Sequence, residues 1–535
     1  MRGDEAADVV VVGYGPVGNV LAVLLAQRGH RVVVLERQPE PYALPRAVHF
    51  DHEVARILQA CGVGGDLAAI SEPADVYEWR NADGATLLRL GGAGRGLSGW
   101  PRSSMFCQPD LEALLDRRAR SLPGVEVRRG VEVTGLTDDG DAVAVRTSGD
   151  GAEPGGTVRA RFVVGCDGAN STVRALAGAP VRDLGFFHDW LIVDLVLHDG
   201  RVFDPINLQV CDPARPTTAV SGGPGRRRWE FMRLPHERRD DLDREDAAWR
   251  LLAPWDVSPA NATLERHAVY TFQARWVERW RTGRVLLAGD AAHQMPPFAG
   301  QGMCAGLRDA ANLAWKLGLV LDGHAGAALL DTYGDERGPH VGAVIGLSME
   351  LGQIICVPDT VQAAARDAAM LAARRGDEVT EQPLLPDLTG GVCHPASPHA
   401  GRLFVQGDVT VGGRRMRFDD HAGAGWRLVT RPGAVGRPDP GLSAWFERIG
   451  GRVVRVGDGG GGGDVGDGVD VADPDGTYAA WFAEHEAVAA LQRPDFHLYG
   501  TAADATGAVD LLDHLRRTLD PAAAMADGAP AVVRP

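Results

Sequence analysis

Three times along the chain, a short apolar run gives way to glycine and a helical pattern, with an acid in the turn or at the end of the next strand. Val9 to Val12 is an unbroken β-branched run, the mark of a strand buried on both faces of a parallel sheet. Apolar Val17, Val20, Leu21, Leu24 and Leu25 then recur at helical spacing, and the pattern closes at Gly29. A second strand is expected over Val32 to Leu35. Further on, Phe162 to Val164 runs into Cys166-Asp167-Gly168 and a helix with Val173, Arg174 and Leu176. The third unit is "RVLLAGD", then "AAHQMPPFAGQGM", then a long helix with Leu307, Ala310, Ala311, Ala314 and Leu317 on its apolar face. Each unit places glycine and acid at a strand's C-terminal end, where open parallel sheets hold ligands.

Between Leu184 and Thr271 the pattern changes to alternating strands: "WLIVDLVL", "INLQVCD", "RRWEFMRL" and "ERHAVYTF". An inserted antiparallel sheet is expected there. From Asp331 to about Arg375 the pattern is helical again, and proline and glycine punctuate the next stretch. Strands at "WRLVTR", "RVVRVG" and "DFHLYGTA" and a closing helix, "GAVDLLDHLRRTL", make a tail domain. The expected division is therefore a discontinuous α/β nucleotide-binding domain over 1–180 and 272–375, a sheet domain over 181–271, a linker over 376–400 and a C-terminal domain over 401–535. The stretch from Gly457 to Gly468 reads as a flexible surface loop, since no lysine or following helix supports a phosphate loop.

Composition narrows the function. With 55 basic and 71 acidic residues the formal charge is −16, which disfavours nucleic acid and anionic membrane as partners. No apolar stretch has spanning length; the longest late one, "VGAVIGLSMELGQIICV", is broken by Glu350. The opening "MRGDEAAD" carries no apolar signal region, so a cytoplasmic location is expected. Seven cysteines, none in CxxC spacing, argue against a disulfide framework and against a metal site.

Gly13, Gly15 and Gly18 form GxGxxG between strand and helix. Gly13 permits the tight turn, Gly15 lets pyrophosphate approach bare backbone, and Gly18 lets helix and strand pack closely. The helix N-terminus adds unpaired N–H groups and a partial positive charge. Glu36 ends the second strand 18 residues past Gly18, placed to accept hydrogen bonds from a ribose. An acid there disfavours a 2′-phosphate, leaving FAD or NAD. Repetition of the strand–turn–helix unit favours the longer cofactor, FAD.

The trio GxGxxG…E, "CDGANSTVR" and "GDAAHQMPPFAGQGM" resembles the class A flavoprotein aromatic hydroxylases of para-hydroxybenzoate hydroxylase type. "LPRAVHFDHEVARIL" and "FCQPDLEALL" are similar to that family's flavin-contacting segments, and the set is most similar to 3-(3-hydroxyphenyl)propionate hydroxylases and related phenol and polyketide hydroxylases. The resemblance implies a Rossmann-like FAD domain, an inserted substrate sheet and a thioredoxin-like C-terminal domain, without CxxC and hence without thiol redox chemistry. It implies that Gly13, Gly15 and Gly18 bind pyrophosphate, that Glu36, with Arg37 beside it, holds the adenine ribose, and that Arg46 and Gln108 contact FAD. Asp167 and Gly168 would belong to a shared FAD and NAD(P)H motif. Asp290 would hold the ribityl chain or a flavin-side hydroxyl, and Pro296, Pro297, Gly300, Gly302 and Met303 would border the flavin ring, Pro296 on the substrate side. Cys304 stands where the family usually has asparagine, so only a backbone role is carried over.

The implied reaction is hydroxylation of a phenolic ring, such as a hydroxyphenylpropionate, by reduced flavin and molecular oxygen through a hydroperoxide, with NADH or NADPH as reductant. An enzyme tailoring an aromatic secondary metabolite would need the same chemistry. A flavin reductase or oxidase without oxygen insertion, and a non-enzymatic FAD-binding regulator, are the further readings. No nucleic acid, membrane span or metal is expected, and the tail domain suits a structural or homo-oligomeric role. For the phenol's proton the candidates are His49 and Asp51, Asp51 being equally suited to capping the helix "HEVARILQA". His293 reads as a turn-closing histidine. Trp190, Trp229 and Phe231 are candidates for the pocket floor, though strand aromatics also suit a core. Arg226, Arg227 and Arg228 offer a carboxylate anchor or a solvated strand edge.

Overall fold

The computed structural model describes residues 6–149, 155–374, 376, 379–381, 385–434, 439–458 and 469–520. Of the stretch read as a flexible loop, Gly459 to Gly468 lies outside the described residues.

The first sheet has eight strands. Its path runs Arg281–Thr282, Val285–Leu287, Thr157–Gly165, Ala6–Val12, Val32–Glu36, Val125–Arg129. The strands from Val285–Leu287 onward are parallel, and Val9, Val10 and Val11 are fully buried at the centre. Register sets Val12 opposite Gly165, and Gly165 opposite Leu287. The three strand ends therefore lie in one row, and the three glycine-bearing turns, two of them with an acid (Asp167 and Asp290), share one edge of the sheet. A right-handed crossover between parallel strands requires this arrangement.

The second sheet also has eight strands. It is assembled from more of the chain than the alternating pattern suggested. Val181–Leu197, Asn207–Cys211, Thr217–Ser221, Arg226–Met232 and Ala262–Val277 form its centre. Val76–Asn81 and Thr86–Gly91, from within the segment assigned to the nucleotide-binding domain, complete it through a parallel pairing with Asn207–Cys211. A boundary at residue 181 thus misses the part of this sheet supplied by residues 76–91.

The tail contributes a seven-stranded sheet containing the expected Arg427–Thr430, Arg452–Asp458 and Leu498–Ala502. Helices Pro440–Arg448, Thr477–Glu484 and Ala505–Leu519 accompany it. Residues 401–535 hold no cysteine.

The helix Gly302–Leu321 was expected to bury one face, but it is buried from Cys304 to Leu321 on every side. Helix Asp331–Ile355 and the tail cover its polar positions. Lys316 Nζ lies 3.0 Å from Glu336, Arg493 Nη2 lies 2.6 Å from the same carboxylate, and Asn312 and Trp315 donate to Asp495. The tail is therefore bound to the cofactor-facing helix by a buried charged network.

Candidate active site

The glycine loop is built for close approach. Gly13 has φ +98°, and a Cβ there would stand 2.5 Å from the Cys166 carbonyl oxygen. A Cβ on Gly18 would stand 2.1 Å from the Gly13 oxygen. Helix Pro16–Ala26 begins on Pro16 with no side-chain cap, so its first N–H groups stay open. Glu36 accepts from the Tyr14 and Gln38 N–H groups and so shapes this loop, with exposed Arg37 beside it.

A cavity of ≈ 1330 Å³ runs from Gly15 past Arg46, Gln108, Gly168 and Asp290 to the turn at Pro297, Gly300, Gly302 and Met303. Asp290 is open to it, while the protein packed around the carboxyl pushes its pKa up against the pull of His293 and Arg46. Gln108 is fixed at both ends, accepting from the Ala47 N–H and donating to Glu112, which also pairs with Arg46. Helix Gly302–Leu321 starts beside the cavity without a side-chain cap, because the Gln301 side chain is held by Asp51 and Arg308. Its positive end is left for a ligand.

Several expected residues lie elsewhere. Asp167 is not a wall residue: its carboxylate accepts from Ser171 and from the Val173 N–H, tying down the helix Thr172–Leu176. Pro296 is buried behind Pro297 and does not line the cavity. Cys304 is fully buried, its thiol 3.7 Å from the Gly300 carbonyl. His293 is 2.7 Å from Asp309, which also receives the Gly289 N–H and Arg337. It braces the turn and is absent from the cavity wall.

The two proton-acceptor candidates separate clearly. Asp51 caps helix His52–Ala60 through the Glu53 and Val54 N–H groups, and its other oxygen takes Arg308 at 2.6 Å. Against burial, Arg308 foremost holds the Asp51 pKa well below the usual carboxylate range, and the carboxylate, although it too lines the cavity, has both oxygens engaged by the helix cap and the guanidinium. His49 lines the cavity. Burial lowers its pKa, so the ring is neutral. Its Nδ1 is 3.1 Å from the Gly300 carbonyl, an oxygen that can only accept; Nδ1 therefore carries the proton and Nε2 the lone pair.

The aromatic floor is also corrected. Along Arg226–Met232 side chains alternate between faces. Trp229 and Phe231 point away from the cavity into a cluster with Leu242, Ala248 and Leu252. Arg228 and Glu230, between and before them, line the cavity instead. Trp190 is fully buried behind the wall, packed on Phe272 and Phe298 at ring distances of 6.0 and 5.7 Å. Phe272, Phe298, Met295 and Tyr77 face the space itself. The arginine triplet is no solvated edge: Arg227 and Arg228 are buried. The tail adds Trp481, His485 and His497 to the far wall, a contribution that its expected structural role did not include.

The residues present fit FAD. Bare backbone at Gly15, an open helix start at each end of the cavity and an acid between them match pyrophosphate, ring and sugar-like chain in that order. Comparison with known proteins agrees. The FAD binding domain family matches residues 6–348, and the HcaD C-terminal domain family matches residues 401–518. The chain belongs to the FAD-dependent aromatic hydroxylases. Among its relatives, a probable NADH-specific resorcinol 4-hydroxylase of Rhodococcus jostii (strain RHA1) is 42% identical, over 97% of this chain and 96% of the relative. A 3-(3-hydroxy-phenyl)propionate/3-hydroxycinnamic acid hydroxylase of Mycobacterium sp. (strain JLS) is 35% identical, over 92% and 89%. Among solved structures, a ternary complex of aklavinone-11 hydroxylase with FAD and aklavinone superposes with TM-score 0.75 at 25% identity, over 97% of this chain and all of that one (100%). Among the described residues no single helix is long and apolar enough to cross a membrane, and no group of three or more His, Cys, Asp or Glu could hold a metal ion.

Proposed function

We propose that the protein hydroxylates a phenol at the junction of the His49–Gly300 turn and the second sheet, using NADH as reductant. The observation that carries this reading is the neutral His49, tautomerically fixed and facing a cavity that also meets an uncapped helix start. FAD supplies the oxidising chemistry once reduced and exposed to oxygen. The chain's own residues do the rest. Gly13, Gly15 and Gly18 shape the pyrophosphate seat, with Glu36 and Arg37 at the ribose end. Arg46, Gln108, Gly168 and Asp290 hold the middle of the cofactor. Pro297, Gly300, Gly302 and Met303 border its ring, and the helix dipole stabilises negative charge there.

His49 Nε2 takes the phenol's proton, keeping its Nδ1–H on the Gly300 carbonyl. Asp51, ionised nearby, favours the imidazolium that results. Phe272, Phe298 and Met295 keep water from the ring. The NADH-specific resorcinol hydroxylase among the relatives supports the choice of reductant and the phenolic class.

The three large sheets correspond on this reading to an FAD domain, a substrate domain that includes residues 76–91, and a thioredoxin-like tail from about residue 401 that walls the cavity. Seven free cysteines suit the reducing cytoplasm. The test is to follow NADH and NADPH oxidation by purified holoenzyme with a panel of phenols. Phenol-stimulated oxidation with NADH preferred is expected; oxidation indifferent to every phenol would count against the reading.

A further inference from the structure

The second sheet gives the cavity wall one acid and one cation among the described residues, Glu230 and Arg228. Arg228 is already committed. Its Nε and Nη2 hold Asp194 at 2.6 and 3.0 Å, Nη2 also reaches the Pro45 carbonyl at 3.2 Å, and Nη1 the Arg46 carbonyl at 2.5 Å. Of a guanidinium's five N–H donors, one on Nη1 remains, and it is 3.7 Å from Glu230. Arg227 points to the opposite face, 4.1 Å over the Phe203 ring. Arg226 is paired with Glu265 and Asp110. Among the described residues, no cation that this sheet gives the wall is left to hold a substrate carboxylate; the cavity's other guanidiniums, Arg46, Arg102, Arg308 and Arg402, stand on other elements.

Glu230 is in the opposite condition. It is 8% exposed, and no described residue hydrogen-bonds its carboxyl. The donors beside it are spent on Gln209, whose oxygen takes the Thr218 hydroxyl at 2.7 Å and the Tyr77 hydroxyl at 3.0 Å. A buried carboxyl without a donor is costly, and a ligand that brings one removes the cost. Burial holds Glu230 up at about 7, helped by Asp194 and opposed by Arg228 and Arg266. A substrate carboxylate would bring a further negative charge to a wall that already holds these acids.

We propose that Glu230 accepts a hydrogen bond from a second ring hydroxyl of the substrate, so that the enzyme prefers uncharged dihydroxybenzenes of resorcinol type over phenols with a carboxylate side chain. This rests on the phenol-hydroxylase reading above. The test titrates holoenzyme with resorcinol and with 3-(3-hydroxyphenyl)propionate, reading the flavin absorbance and NADH oxidation, in wild type and Glu230→Gln. Wild type should bind resorcinol at least tenfold more tightly, roughly the worth of one hydrogen bond to a charged group. Glu230→Gln, with FAD content unchanged, should weaken resorcinol about tenfold and narrow the gap to the propionate. Wild-type preference for the propionate overturns the proposal while leaving the hydroxylase reading intact. So does a Glu230→Gln variant that leaves resorcinol binding unchanged or weakens both phenols equally. Failure of both phenols to bind or react overturns both readings.

Discussion

His49 and Gly300 are 251 positions apart in sequence, and the His49 ring is 3.1 Å from the Gly300 carbonyl. Gly300 has φ +64°, and a Cβ there would stand 2.9 Å from His49 Nδ1. One contact thus fixes the imidazole tautomer, and with it which nitrogen faces the substrate.

Removing that ring should slow hydroxylation without loosening FAD. His49→Ala is expected to lower kcat with a phenol by about 10²–10⁴-fold, the usual range for a lost general base. The pH profile carries the sign. The active form is the unprotonated one, so activity falls as pH falls. Because burial lowers the His49 pKa, this acid limb should lie below the ordinary imidazole value of about 6.5. Steady-state rates across pH check both points, and His49→Ala should lack the limb.

Arg308 should matter for stability. It pairs with Asp51 and Glu53 at 2.6 Å each, all three buried. Arg308→Met leaves two buried carboxylates without their cation, which should cost about 3–5 kcal/mol in denaturant unfolding. Both acids have depressed pKa values in the fold, so their stabilising effect is present above the ordinary carboxylate range and lost as pH falls through it. Arg308→Met should flatten that acid dependence.

Asp290→Ala should release cofactor. Loss of a charged hydrogen-bond acceptor is worth about 1.5–3 kcal/mol, or roughly 10–100-fold in the FAD dissociation constant. Flavin content after gel filtration and FAD titration of the apoprotein measure it. Asp167→Ala should instead lower melting temperature and leave FAD affinity nearly unchanged, since that side chain caps a helix.

The network under the tail should be asymmetric. Glu336 meets Lys316, Arg493 and Asn312, and the charges of Arg493 and Lys316 hold its pKa down to about 2 against burial. Glu336→Ala should destabilise the whole protein by several kcal/mol, whereas Lys316→Met, which removes a cation whose pKa burial already lowers to about 8 and leaves Arg493 on Glu336, should cost clearly less. Thermal unfolding of the two variants distinguishes the cases.

The strand–turn–helix units were legible because each concentrates its signal locally: Val9 to Val12, the glycines after it, and Glu36 at the next strand's end. The helix His52–Ala60 and its Asp51 cap were legible for the same reason. What escaped the pattern is non-local. Val76–Asn81, with its hairpin partner Thr86–Gly91, joins a sheet whose remaining strands begin only at Val181, and nothing within that short segment names its parallel partner Asn207–Cys211. On Arg226–Met232 the aromatic residues drew attention as pocket candidates, yet alternation sends them into the outer core and turns Arg228 and Glu230 inward. The clue available in the sequence was the charge interleaved with aromatics on a strand, which must either reach solvent or line a polar cavity. Charged residues inside the Gly302–Leu321 helix carried a similar message, since Arg308, Asp309 and Lys316 could not all share the apolar face.

Oxygen insertion into a phenol is tested most directly by product analysis under isotopically heavy dioxygen with NADH and resorcinol. One heavy oxygen atom in the hydroxylated ring is expected for each NADH consumed. Hydrogen peroxide accounting for all the oxygen taken up, with the phenol recovered unchanged, would contradict hydroxylation by this enzyme.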